Sequence, residues 1–142
     1  MPLNQYQQEV GPSLVDASSG KMPDITLLDG RYCSVEHLTV AEHYEDILDF
    51  YFTNRILSDW TYMYADPFES EEAVRQCLED YEQSSNPYFF AIRDKGSGKV
   101  LGTFSLMAIT PKNRSVEMGR VILAPDLQKT RAATEAQYLV MA

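Results

Sequence analysis

The sequence holds two cysteines, two histidines and one tryptophan in 142 residues, and each shortage removes a class of protein. Cys33 and Cys77 are too few for a disulfide framework. His37 and His43 lack the spacing that would complete a zinc site with them, so no metal is expected. Both cysteines read as reduced packing residues of a cytoplasmic protein. Positive charge is also scarce: 12 Lys and Arg stand against 21 Asp and Glu, a net charge of −9. A broad basic surface for nucleic acid is therefore not expected. No apolar run approaches the length of a membrane span, and no repeat appears at solenoid periods. The first 24 residues have no cationic start followed by an apolar stretch, so they read as a flexible arm and not as a secretory signal.

What remains is one domain's length of chain with enough apolar residues to build a core. "ITLLDGRYCSVEHLT" suggests a first strand with a small hairpin at Asp29-Gly30. Thr39 with Glu42 fits a capping box, and Tyr44, Ile47, Leu48, Tyr51 and Phe52 follow at helical spacing. "RILSDWTYMYADPF" is aromatic but without periodicity. Ser70, followed by Glu71 and Glu72, starts a second helix whose apolar face is Ala73, Val74, Cys77, Leu78 and Tyr81. "YFFAIRD", "KVLGTFSLMAI" and "SVEMGRVILA" then read as an antiparallel meander turned by "KGSG" and "TPKNR". A last helix begins near Thr130, with Ala132, Ala136, Leu139 and Val140 on one stripe. The predicted class is α/β (α+β): a mixed, mainly antiparallel sheet flanked by helices.

The start of that last helix carries Lys129 and Arg131, although helix N-termini favour anions over cations. Taken alone, "QKTRAA" is either a solvated surface loop or the lip of an anion site. With the preceding strands, "SVEMGRVILAPDLQKTRAATEA" resembles the GCN5-related N-acetyltransferases, the GNAT superfamily, in particular the branch of ribosomal-protein and small-amine acetyltransferases. The superfamily's loop pattern, Gln/Arg-x-x-Gly-x-Gly/Ala, falls on Gln128, Lys129, Thr130, Arg131, Ala132 and Ala133, with Arg131 in place of the usual glycine. "DWTYMYADPFESEEAVRQCLED" and "YFFAIRDKGSGKVLGTFSLMAI" resemble the same subgroup, so the resemblance runs from about Ile25 to Ala142.

The resemblance implies acetyl-CoA as co-substrate and transfer of its acetyl group to a primary amine of a small molecule or peptide. It places the pyrophosphate on Gln128 to Thr134, where unpaired N–H groups accept an anion and the two cations add charge. Small Ala132 and Ala133 would let the phosphates approach. Val121, Ile122 and Leu123 would hold the pantetheine arm through their main chains. Glu117 is the candidate general base, or else a strand carboxylate paired with Arg114 or Arg120. Trp60, Tyr62 and Tyr64 alternate, so in an extended segment they would share a face and wall the acceptor pocket; otherwise they are core residues folding the loop onto the domain. Asp59 and Asp66 are nearby acids that could attract a cationic amine.

In the superfamily a further strand, helix and hairpin follow the third main helix. Residues 25–142 therefore read as an incomplete GNAT-like domain, and "QYLVMA" carries no helix stop signal. Tyr138 lies inside the last helix and is not assigned as the acid that protonates the leaving thiolate. Two expectations compete: a cofactor-binding acetyltransferase, or a shortened relative serving as a cofactor-binding or interaction module. An exposed sheet edge is expected to favour self-association.

Overall fold

The first strand signal folds as a two-stranded hairpin, β1 (Leu27–Asp29) and β2 (Cys33–His37). The computed structural model describes residues 1–63 and 65–142. At the hairpin's turn a Cβ on Gly30 would stand 2.9 Å from the Cys33 carbonyl oxygen and would displace the Glu135 carboxylate, so the position is tight for any side chain. Helix α1 (Val40–Leu48) follows, with Thr39 as its N-cap. The predicted capping box forms differently. The Thr39 hydroxyl makes no cap bond, and the Thr39 N–H donates to Nδ1 of His43 at 3.0 Å. The imidazole, one position beyond Glu42, takes the reciprocal role because it is buried where Glu42 is exposed. On its other side His43 Nε2 lies 3.1 Å from Glu36, which Arg93 and Ser34 also bond. Burial raises the Glu36 pKa, but the hydrogen bonds from Arg93, Ser34 and His43 outweigh it and hold the carboxyl below its usual value.

After Leu48 the helix widens into a π-type turn, Asp49–Thr53. That change of pitch buries two successive rings, Phe50 and Tyr51. Tyr51 has no exposure, and its hydroxyl meets Thr103 Oγ1 at 2.5 Å. Helix α2 (Glu71–Gln83) starts as expected, with Ser70 Oγ accepting the Ala73 N–H at 3.1 Å. The meander is β3 (Tyr88–Asp94), β4 (Val100–Thr110) and β5 (Ser115–Leu123), and α3 (Arg131–Met141) ends the order.

All five strands pair antiparallel in the order β1-β2-β3-β4-β5, which puts β5 at one edge. Alternate residues of the central strands feed two cores. Phe90, Ile92 and Phe104 face α3 with Ala132, Ala133 and Ala136. Phe89, Ala91 and Val100 face α1 and α2 with Ile47, Val74 and Leu78. The mixed α/β class predicted above is the one observed. Cys33 is buried beneath α3, and burial, followed by the Glu135 charge, pushes its thiol up to about 12. It is an unreactive packing group. Within the first 24 residues, Arg114 Nε donates to the Ser18 carbonyl at 2.7 Å, and its Nη2 meets Asp16 at 3.0 Å. Those contacts tie part of the arm to the β4–β5 turn.

Candidate active site

Strand β5 leaves the regular ladder near its middle. Ser105 pairs with Gly119 and Thr103 with Ile122, so Phe104 alone opposes both Arg120 and Val121. This is a bulge, and Arg120 takes the left-handed φ of 52° that it requires. A bulge leaves strand N–H and C=O groups outside the ladder, available to a ligand lying along the edge.

Beyond the bulge, β5 forms one wall of a cleft of about 240 Å³. Val121 to Pro125 line that wall, and Gln128 closes its end. The opposite wall comes from the segment after α1: Phe50, Ile56, Asp59, Trp60 and Met63. Aromatic packing holds this wall. Phe68 stacks on Tyr51 with centroids 5.4 Å apart, and Trp60 meets Phe68 edge-on at 5.9 Å. Trp60 is consequently only 7% exposed.

The predicted aromatic face does not form. Leu57–Trp60 is a short helical turn, not an extended segment, so residues two apart diverge. Trp60 turns inward to the cleft while Tyr62 is 99% exposed and outside it. Tyr64 lies outside the described residues.

At the far end of β5 the chain turns through Ala124 to Thr130 into α3. Leu127 and Gln128 N–H groups both bond the Ala124 carbonyl, and Gln128 Nε2 bonds the Leu123 carbonyl at 3.1 Å. Gln128 thus braces the loop from within. Thr130 caps the helix, its Oγ1 accepting the Ala133 N–H at 3.2 Å, while Thr134 N–H bonds the Thr130 carbonyl. Among the described residues the N–H groups of Lys129, Arg131 and Ala132 find no protein acceptor. Lys129 and Arg131 are exposed and enter no ion pair among those residues. Three free donors and two free cations thus gather around one helix start in an otherwise acidic chain, an arrangement chemically suited to an anion.

The left-handed residue of the loop is Lys129, with φ of 60°, and Arg131 is already the first helical residue. A glycine at 131 is therefore not needed for backbone conformation. Ala132 and Ala133 are buried against the sheet, so their small size serves the fit of α3 to its core and not an approach by phosphate. Beside the loop, Tyr32, Lys129, Arg131, Thr134 and Tyr138 border an open groove of about 650 Å³, with the Arg131 guanidinium 5.8 Å from the Tyr32 ring centre.

Glu117 is exposed on β5, paired in register with Met107 and separated from the cleft by the bulge. It forms no ion pair with Arg114 or Arg120 among the described residues. Arg114 is engaged by Asp16, and Arg120 lies over Phe89 at 5.9 Å. Asp59 lines the cleft and Asp66 does not, a distinction composition alone could not make. The Arg120–Val121 bulge also had no sequence signal, since arginine is not a residue that advertises positive φ.

No functionally curated protein matches the chain. Among solved structures, a GCN5-related N-acetyltransferase from Brucella melitensis is 31% identical, with a TM-score of 0.82 over 87% of this chain and 56% of that one. A probable GNAT-family acetyltransferase from Chromobacterium violaceum is 24% identical, with a TM-score of 0.82 over 94% of this chain and 67% of that one. A spermidine/spermine N-acetyltransferase from Vibrio cholerae is 16% identical, with a TM-score of 0.52 over 78% of this chain and 59% of that one. The chain thus spans little more than half the length of the Brucella structure. A profile described as an acetyltransferase (GNAT) domain matches residues 37–142, and with it the bulged edge strand and the open helix start find their place: the chain belongs to the GNAT acetyltransferase family.

Proposed function

We propose that the protein uses acetyl-CoA to acetylate a primary amine by direct attack on the thioester. The observation that carries this reading is the helix start at Thr130, where free N–H groups and free cations border the end of the cleft. A pyrophosphate there would accept the N–H groups of Lys129, Arg131 and Ala132, with both side chains adding charge-assisted bonds. The acyl arm would then run back along Val121, Ile122 and Leu123 toward the bulge. The amine nitrogen forms a C–N bond to the thioester carbon, the C–S bond breaks, and the thiolate leaves to be protonated. Preorganised main-chain donors at the bulge suit the oxyanion that develops between those events. Acetyl-CoA should raise the melting temperature, because a ligand confined to the folded state stabilises it by mass action. A melt that ignores saturating acetyl-CoA overturns the reading.

Glu117 is the proposed base, acting directly or through water from the near side of the bulge. Glu117→Gln is expected to lower the transfer rate by about 10²- to 10⁴-fold while acetyl-CoA affinity holds. The defect should shrink at high pH, where the amine is already neutral. Equal loss of stability and rate would instead mark a structural carboxylate.

The alternative, a non-catalytic cofactor-binding or interaction module, rests on the exposed edge. Val116 and Val121 of β5 are 52% and 37% exposed beside unpaired strand backbone. Self-association is the expected outcome, with light scattering rising with concentration. A monomer at all concentrations removes the edge from the argument.

A further inference from the structure

We infer that the cleft beside Trp60 captures the ammonium group of a monoamine with an apolar body, and that Asp59 is the residue selecting it. Among the described residues lining the cleft, Asp59 alone is charged. The rest of its wall is Phe50, Ile56, Trp60 and Met63, faced by the aliphatic end of β5. The Asp59 carboxylate forms no ion pair and accepts no hydrogen bond among the described residues. Arg55, the cation that precedes it in the sequence, is engaged elsewhere: it donates to the Phe68 carbonyl at 2.6 Å and lies over the Phe52 ring at 4.8 Å.

An uncompensated carboxylate at the margin of an apolar, aromatic space attracts one cation and desolvates what is attached to it. A second ammonium on the same molecule would meet no acid on this lining. A polyamine is therefore disfavoured, and the fold likeness to a polyamine enzyme does not alter that. The position of Asp59 is also mechanically defined. Its N–H bonds the Ile56 carbonyl at 3.0 Å within the turn that Trp60 anchors through Phe68. The inference rests on the acetyl-transfer reading for the fate of the amine, and not for its capture.

Trp60 is the sole tryptophan, so intrinsic fluorescence reports on the cleft directly. We would titrate the full chain, without cofactor, with 2-phenylethylamine, the uncharged 2-phenylethanol and spermidine. The amine should saturate at concentrations about tenfold below the alcohol, the effect of one charge-assisted bond. Spermidine should bind no tighter than the monoamine. Asp59→Asn should bring amine and alcohol level, Asp59→Glu should keep part of the preference, and Asp66→Asn should keep all of it. Equal binding of amine and alcohol by the unaltered protein overturns the inference. So does a preference that survives Asp59→Asn, or tighter binding of spermidine. Because no acetyl-CoA is present, these results stand apart from the thermal-shift test of the acetyl-transfer reading, and either can fail alone.

Discussion

Exchanging Lys129 and Arg131 together for glutamate is expected to weaken acetyl-CoA binding by about 100-fold or more. Both side chains are exposed and unpaired among the described residues, so their charge is available to a ligand and is not spent on the fold. Each charge-assisted bond to a phosphate contributes about 1.5–3 kcal/mol. Reversal removes two such bonds and sets two carboxylates against the phosphate charge. The unliganded melting temperature should stay nearly fixed, because Arg131 gives up only its approach to Tyr32, worth about 0.5–1 kcal/mol at an exposed site. Calorimetry across a salt series is the measurement. The unaltered protein should lose affinity as salt rises, while the double variant should be much less sensitive. Unchanged affinity in Lys129→Glu/Arg131→Glu would remove the pyrophosphate assignment.

Phe90→Ala is expected to cost about 3–5 kcal/mol. Phe90 has no exposure, stacks on Phe104 with centroids 5.5 Å apart and meets Tyr88 edge-on at 5.2 Å. It sits on β3, the middle strand of five, so neighbours on both sides hold the backbone and limit collapse into the vacancy. Total stability for a domain of this size is about 5–15 kcal/mol, so the loss removes a large share. Urea unfolding should show a lower midpoint with an unchanged slope. A cost under about 1 kcal/mol would mean that the α3-facing core is not packed as described.

Local chemistry made much of this fold readable. Ser70 with Glu71 and Glu72, the Gly-Ser-Gly turn after β3 and the alanine stripe of α3 each declare an element within a few residues. The features that escaped depend on contacts across the chain. Glu42 completes a capping box on paper, but burial of His43 between Thr39 and Glu36 gives that place to the imidazole. The bulge at Arg120 lies opposite Phe104, a core residue of β4, and β5 alone does not reveal it. Trp60 and Tyr62 alternate in sequence and diverge in space because one helical turn replaces an extended run. At the start of α3 the cations Lys129 and Arg131 drew attention to the loop in the sequence, but nothing there signalled that Lys129 is its left-handed residue. That Asp59 lines the cleft and Asp66 does not became readable only with the cleft itself.

Glu135 joins parts of the chain that are made far apart in time. Its Oε1 accepts the Tyr32 N–H at 2.9 Å and the Cys33 N–H at 3.1 Å, across more than a hundred residues. A ribosome adding about 5–20 residues per second would release the β1–β2 hairpin several seconds before α3 exists to hold it. During that interval the hairpin has its strand pairing but not the carboxylate that fixes its turn, nor the alanine face that covers Cys33 and Val35. The hairpin made first is thus completed last, so the nascent chain carries an unfinished apolar surface until α3 has left the exit tunnel.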